Sequence, residues 1–230
     1  MVVTGPWVIA HRGGPPAGVP ENSLEAFAGA LAAGADMVEL DVRRSADGRL
    51  VVIHDRSAAG LTVSRASLAA LRSASGYELV ELGTVAEFAA GRIGLDVELK
   101  ETGYERDVIA ALEPSRRQGR PLLVTSFFDA ALKQVRRLDP GIDTGLLLAR
   151  GSARLPRRLR ASGARYVLPP VTGLRRGILA AAAAAGVPAI PWTLNAPAEL
   201  ELAFGHEAVA GVITDLPELA LEVRSGQVLD

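Results

Sequence analysis

Short apolar runs alternate with longer amphipathic segments along most of the chain. Runs rich in Val, Ile and Leu predict strands, and apolar residues spaced three or four apart predict helices. The predicted strands are 7–10, 37–43, 50–53, 93–99, 122–126, 144–148, 166–168, 189–193 and 211–214, and the predicted helices are 24–33, 67–72, 84–90, 104–112, 130–138, 155–162, 174–185, 198–204 and 217–225. Repeated strand-then-helix units over 230 residues predict an α/β fold of the TIM (β/α)8 barrel type, with 50–53 as an added strand.

Composition limits the domain count and the classes of partner. With 49% hydrophobic residues in 230, the chain can form one large core, so we expect residues 1–230 to be a single domain. The net charge of −1 gives no general attraction for nucleic acid or an anionic membrane. The absence of cysteine excludes disulfides and zinc-thiolate sites. We expect a cytoplasmic protein without stable membrane anchoring, because neither a signal-peptide pattern nor a long apolar run is visible.

Alternating charged residues occur on two predicted strands. Glu39 and Asp41 are two residues apart, so they share one face of the second barrel strand. The same alternation places Asp96, Glu98 and Lys100 on one face of strand 93–99, with the last two nearest the carboxyl end. Active sites of TIM barrels lie at the carboxyl ends of the strands. The carboxylates of Glu39, Asp41 and Glu98 are therefore candidate ligands for a hard divalent cation such as Mg²⁺ or Ca²⁺.

A structural role for the same carboxylates stays open. They could form salt bridges at the barrel rim with Arg12, Arg43 and Lys100. The adjacent strands and the nearby histidines favour a metal site over purely structural ion pairs.

Two of the three histidines follow apolar strands and are candidate acid–base residues. His11 comes after strand 7–10, and His54 comes after the added strand. An imidazole exchanges a proton near neutral pH, so one histidine can accept a proton while the other donates one. Arg12 and Lys100 could hold an anionic group. Trp192 could line an apolar part of a pocket, although a tryptophan at a barrel end is as often plain packing.

Taken together, these motifs resemble the glycerophosphodiester phosphodiesterase family. The matching segments are 10–13 (AHRG), 20–27 (PENSLEAF), 34–42 (GADMVELDV), 47–55 (DGRLVVIHD), 98–100 (ELK), 125–127 (TSF), 192–195 (WTLN) and 212–217 (VITDLP). The resemblance implies a TIM barrel that uses a divalent metal, Mg²⁺ or Ca²⁺ with Mn²⁺ as a further candidate, to hydrolyse glycerophosphodiesters to glycerol 3-phosphate and an alcohol. The substrate is then a small molecule.

The resemblance also implies a role for each matching residue. Those roles are acid–base catalysis for His11 and His54, metal binding for Glu39, Asp41 and Glu98, phosphate binding for Arg12 and Lys100, and metal or glycerol binding for Glu21. Segment 56–62 is short for the family, which implies a shortened insertion after the second strand and an open alcohol pocket. The nucleophile, either water or the substrate's glycerol 2-hydroxyl, and the identity of the base both stay open.

Three other functions are alternatives to this one. A lysophospholipase D activity on lipid substrates is the alternative within the family. A phosphate-binding isomerase or lyase would need a Schiff-base lysine or an enolising carboxylate, and would not need two histidines beside a metal. A catalytically silent barrel would typically lack one of the candidate histidines or carboxylates, and all are present.

Overall fold

The computed structural model describes residues 5–149 and 154–226. Its strands are β1 Trp7–Ala10, β2 Met37–Arg44, β3 Leu50–Val52, β4 Ser57–Ala58, β5 Leu61–Thr62, β6 Gly94–Leu99, β7 Leu122–Ser126, β8 Asp143–Leu147, β9 Tyr166–Leu168 and β10 Gly211–Thr214. Its helices are α1 Leu24–Ala33, α2 Leu68–Ala74, α3 Leu82–Ala89, α4 Glu105–Ala111, α5 Glu113–Arg116, α6 Asp129–Leu138, α7 Leu155–Ser162, α8 Ile178–Ala184, α9 Pro197–Phe204 and α10 Pro217–Ser225. Short 3₁₀ segments span His11–Gly13, Val63–Arg65 and Val171–Arg176.

A curled parallel sheet forms the centre of the molecule. Its strand order is β10-β1-β2-β6-β7-β8-β9, and β3 pairs antiparallel with β2. Residues 188–194 lie between β9 and β10, where Ile190 N donates to Val167 O at 2.9 Å and Ala210 N donates to Ala189 O at 2.8 Å. These bonds complete the ring, which confirms the predicted TIM-like barrel. The predicted strand 189–193 forms only isolated bridges, because Pro191 has no N–H to donate to a regular ladder.

The sheet separates two apolar layers. One face of each strand packs against the helices, as Val38, Leu40 and Val42 of β2 do. The other face points into the barrel, where Ile9 and Met37 belong to a buried interior cluster. Because side chains alternate along a strand, the helix-facing valines and leucine of β2 leave the intervening charged residues directed to the barrel interior.

Several predicted elements differ from the observed ones. Predicted helix 174–185 is a 3₁₀ segment followed by α8, because Gly177 adopts a left-handed conformation with φ 68° between them. Predicted helix 130–138 begins one residue earlier, at Asp129, and Phe128 occupies the cap position. The short segment after β3 forms the small β4–β5 hairpin. Within the two described ranges, no helix is long and apolar enough to cross a bilayer, and the cytoplasmic location stays a prediction.

Candidate active site

A tight turn after β1 presents the first histidine and its neighbouring arginine. His11, Arg12 and Gly13 form a 3₁₀ turn in which Arg12 has a left-handed φ of 51°. A Cβ atom on Gly13 would lie 2.7 Å from the Cβ of Ala26, so only glycine fits between this turn and α1. The turn directs the Arg12 N–H to the Oε2 atom of Glu39 at 3.0 Å.

Three carboxylates meet at the carboxyl ends of β2 and β6. Asp41 and Glu98 are direct partners in the β2–β6 register. Oxygen atoms of Glu39, Asp41 and Glu98 lie within 4.8 Å of one another, and all three residues are buried. The structure therefore brings together the three predicted metal ligands, and this acidic group could bind a metal ion.

Two basic side chains lie against the same carboxylates. Lys100 Nζ is 3.0 Å from Asp41 Oδ1 and 2.8 Å from Glu98 Oε1. Arg12 Nε is 3.3 Å from Asp41 Oδ2. The salt-bridged arrangement that the sequence left open is thus present for Arg12 and Lys100, whereas Arg43 pairs with Glu101. Either of these two basic side chains could also contact an oxygen of an anionic ligand bound beside the carboxylates.

The carboxylates are electrostatically unequal. Burial raises the pKa of Glu39 well above its ordinary value, and the nearby charges of Asp41 and Asp96 raise it further. Burial would also raise the pKa of Asp41, but Lys100, the Asn22 amide and Arg12 hold it below its ordinary value. Asn22 Nδ2 donates to Asp41 Oδ2 at 2.9 Å. A cation among these oxygens would stabilise Glu39 in its ionised form.

Asp96 is a fourth buried carboxyl group near the other three. Its side chain is inaccessible to solvent, and burial raises its pKa to about 8. Thr125 Oγ1 donates to Asp96 Oδ1 at 2.9 Å. Among the residues described, none is a hydrogen-bond partner of the buried Asp96 Oδ2 atom. An all-oxygen donor set that includes an unpartnered buried oxygen fits a hard cation better than a softer one.

The two histidines are oriented by different carboxylates. His11 Nδ1 lies 2.6 Å from Asp215 Oδ1, and Asp215 in turn accepts a bond from Asn195 Nδ2 at 2.6 Å. The Asp215 N–H donates to Asn195 Oδ1 at 2.9 Å. His54 Nδ1 lies 2.8 Å from Oδ1 of its sequence neighbour Asp55. In each case the contact at Nδ1 leaves Nε2 as the ring nitrogen free to exchange a proton.

A cavity of about 180 Å³ joins the charged groups to an apolar surface. The charged or polar lining consists of His11, Arg12, Glu39, His54, Asp96, Glu98, Lys100 and Thr125. The apolar lining consists of Phe127, Leu147, Leu168, Trp192 and Ile213. Phe127 and Trp192 pack edge to face with ring centroids 5.9 Å apart, and Trp192 Nε1 donates to Leu168 O at 2.9 Å. Trp192 is therefore fixed as part of the apolar lining.

Glu21, for which the resemblance implied metal or glycerol binding, lies apart from the three clustered carboxylates. Both of its carboxylate oxygens accept from Arg12 Nη1 at 3.0 Å, and half of its side chain is exposed. It is not among the three carboxylates that converge. The next residue, Asn22, contacts the acidic group instead. It has a left-handed φ of 58°, and its side chain donates to Asp41.

The structure places around the site several residues for which the sequence predicted no role. These are Asn22, Asp96, Asn195 and Asp215, and Arg43 was predicted only as a salt-bridge partner of the carboxylates. Asn195 and Asp215 each follow a barrel strand, so their position at the catalytic end was visible, but their contact with one another and with His11 was not.

The comparisons with known proteins agree with one another. Residues 11–96 match the model of the glycerophosphoryl diester phosphodiesterase family. The chain is 29% identical to a glycerophosphodiester phosphodiesterase of Caldanaerobacter subterraneus subsp. tengcongensis, covering 95% of this chain and 98% of that protein. It is 30% identical to the protein YhdW of Bacillus subtilis, and the match covers 94% of this chain and 97% of that protein. A phosphodiesterase of Oleispira antarctica solved with the product sn-glycerol-3-phosphate superposes with a TM-score of 0.81 at 25% identity, covering 96% and 97%.

The barrel, its acidic cavity and these relatives define the class of protein as a phosphoric diester hydrolase built on a TIM-like barrel. The resemblance inferred from the sequence motifs is confirmed over nearly the full length of the chain. The chain belongs to the glycerophosphodiester phosphodiesterase family.

Proposed function

We propose that this enzyme hydrolyses glycerophosphodiesters to glycerol 3-phosphate and an alcohol by metal-assisted catalysis with two histidines. The observation that supports this most directly is a group of three buried carboxylates, Glu39, Asp41 and Glu98, two of which line one cavity together with both histidines. A phosphodiester needs its negative charge neutralised, its nucleophile deprotonated and its leaving alcohol protonated. The cavity contains a candidate group for each of these tasks.

The metal site in this proposal consists of Glu39, Asp41 and Glu98. When bound, a hard divalent cation such as Mg²⁺ or Ca²⁺ supplies positive charge next to the phosphate oxygens. The carboxylates hold it, and Lys100 contacts two of them. With a lysine already present, the site is partly neutralised before any cation binds, which limits the repulsion within the group.

Arg12 and Lys100 bind the phosphate in this proposal. Arg12 offers a planar fork of donors suited to two phosphate oxygens. Glu21 enters through Arg12 and not as a metal ligand, because its carboxylate fixes the guanidinium from the outer side. Trp192, with Phe127, lines the side of the cavity that would face apolar parts of the substrate.

His11 and His54 transfer the protons. The contact of His11 Nδ1 with Asp215 orients the ring, and the Nε2 atom lies 4.0 Å from Glu39 Oε2 at the acidic group. One histidine removes a proton from the nucleophile, and the other donates a proton to the departing alcohol oxygen. The nucleophile is water or the glycerol 2-hydroxyl of the substrate, and in the second case a cyclic phosphate forms first.

A direct test measures glycerol 3-phosphate release from glycerophosphocholine, glycerophosphoethanolamine and glycerophosphoglycerol. The protein is first treated with chelator, and Mg²⁺, Mn²⁺ or Ca²⁺ is then added back. We expect turnover only after metal addition, and a loss of about 10²-fold or more in His11→Ala and in His54→Ala. Full turnover by chelated protein would exclude the metal, and near-normal turnover by either variant would exclude its acid–base role.

Lysophospholipase D activity is a second candidate, favoured by the apolar half of the cavity. Release of the alcohol from lysophosphatidylcholine, measured beside glycerophosphocholine under one set of conditions, separates the two substrate classes. A higher kcat/KM on the lysolipid would make it the preferred substrate.

A further inference from the structure

Arg43 faces the barrel interior, but its side chain pairs with groups other than the three clustered carboxylates. It lies two residues after Asp41 on the same face of β2, and it is 7% exposed. Its Nε atom donates to the main-chain oxygen of His54 at 2.9 Å. Its Nη1 atom donates to Glu101 Oε1 at 3.2 Å. A buried arginine thus joins the main chain of one candidate catalytic residue to a carboxylate in the segment that follows β6.

The main chain of His54 lies where the regular β-ladder has ended. β3 stops at Val52, and one further main-chain bond to β2 follows it, from Ile53 N to Asp41 O at 2.8 Å. The next residue is His54, and its carbonyl accepts from the Arg43 side chain instead of from a strand N–H. The guanidinium therefore extends the pairing of β3 by one residue, up to the histidine itself.

The side-chain contact of His54 is a weak anchor by comparison. Its partner Asp55 is adjacent in sequence, and the Asp55 side chain is 76% exposed. Exposed ion pairs contribute little to holding a conformation. His11 differs, because its partner Asp215 is itself held by two hydrogen bonds to Asn195. The position of His54 consequently depends more on its main chain than on its side chain.

Glu101 connects Arg43 to the end of β6, the strand that carries Glu98. It comes directly after Lys100, and its N–H donates to Tyr104 Oη at 3.2 Å. The buried Tyr104 hydroxyl donates to Val42 O at 2.8 Å, next to Arg43. This arrangement fixes the ends of β2 and β6 relative to each other, and Arg43 transfers that alignment to His54.

We propose that Arg43 and Glu101 are positioning residues that hold the His54 main chain at the distance from the acidic group that proton transfer requires. The inference rests on the proposed acid–base role of His54. Arg43 itself neither binds substrate nor transfers a proton. Displacing a catalytic group by about 1 Å costs as much as 10²-fold in rate, and loss of supporting contacts around a site typically costs about 10- to 100-fold.

The test compares Arg43→Ala, Arg43→Lys and Glu101→Gln with a matched control, Arg44→Ala. Arg44 is the next residue of β2, and its contacts are Gly103 O and the Tyr104 ring rather than His54. We expect Arg43→Ala to lower kcat about 10- to 100-fold with little change in KM or in the metal concentration for half-maximal rate. Arg43→Lys keeps one donor and should recover part of the loss, Glu101→Gln should have a smaller effect, and Arg44→Ala should retain the parent rate.

Two further readouts distinguish positioning of His54 from a general structural role. In a His54→Ala background, Arg43→Ala should add little further loss, because the group that it positions is gone. The rate of Arg43→Ala should also depend on the leaving group of the substrate in the same way as the rate of His54→Ala. A nitrophenyl phosphodiester should therefore restore the rate of both variants or of neither. Added guanidinium ion should partly rescue Arg43→Ala and leave His54→Ala unaffected.

An undiminished effect of Arg43→Ala in the His54→Ala background overturns the inference while leaving the proposed function intact. So does a normal kcat in Arg43→Ala. If His54→Ala itself turns over natural substrate normally, the acid–base role of His54 fails, and the inference falls with it. Should Arg43→Ala not fold, Arg43→Lys and Glu101→Gln serve in the same double-variant comparison.

Discussion

Replacing Asp96 with asparagine should change the way in which stability of the metal-free protein depends on pH. Burial in β6 raises the pKa of Asp96 from 3.8 to about 8, against the opposing effect of the hydrogen bond from Thr125. Between these two values the folded protein keeps a proton that the unfolded chain has released. Stability from this group is therefore fully present below the unfolded pKa and is lost as the pH rises towards 8.

The magnitude follows from the size of the pKa shift. Each pH unit in this range costs about 1.4 kcal/mol of unfolding free energy, so the loss between pH 5 and pH 8 is about 3 to 4 kcal/mol. Asparagine has no such loss. Its amide would leave a buried polar atom without a hydrogen-bond partner near the Oδ2 position of Asp96, which lowers the unfolding free energy by about 1 to 3 kcal/mol. That cost does not vary with pH, so the pH dependence isolates the ionisation.

The assay is urea unfolding of parent and Asp96→Asn protein at several pH values from 5 to 8, with chelator present. The unfolding free energy of the variant minus that of the parent should rise by about 3 to 4 kcal/mol across this range. Asp41→Asn is the matched control. The pKa of Asp41 is lowered in the folded protein, so its carboxyl group is ionised above pH 5 in both the folded and the unfolded chain. A change of less than about 1 kcal/mol for Asp96→Asn would refute the reasoning.

Further predictions concern the metal, the histidines and the substrate. In chelated protein, Glu39→Gln should raise the melting temperature and Asp41→Asn should lower it, because burial opposes ionisation of Glu39 whereas Lys100 and Asn22 support the Asp41 carboxylate; equal shifts in calorimetry would contradict this. Both variants should weaken Mg²⁺ and Ca²⁺ binding in titration calorimetry. The rate against pH should be bell-shaped in the parent, and the limb that belongs to each histidine should be missing in His11→Ala or His54→Ala. Choline, ethanolamine and glycerol head groups should differ in kcat/KM by well under about a thousandfold, since an open pocket discriminates weakly; a larger ratio would indicate a closed one.

Most of the barrel and the main charged residues were predictable because the signals are local. Period-two alternation along β2 and β6 determines that Glu39, Asp41 and Glu98 leave the helix-packed face, whatever the rest of the chain does. Their position at the carboxyl ends of strands then follows from the barrel topology. The hydrophobic periodicity likewise predicted β9, β10 and α10 with the observed bounds.

The tertiary structure alone decided which charged groups pair. Asp215 reaches His11 across 204 residues because closure of the barrel brings β10 beside β1. Arg12 pairs with the carboxylate of Glu21, which is not one of the three clustered carboxylates, and Arg43 donates to the His54 carbonyl instead of to Asp41. Spacing along a strand specifies a face but not a partner on another strand, since the partner depends on strand order, register and the reach of long side chains. For that reason the sequence by itself indicated which charged residues lie at the carboxyl ends of the strands, and the folded barrel determined how each of them is held.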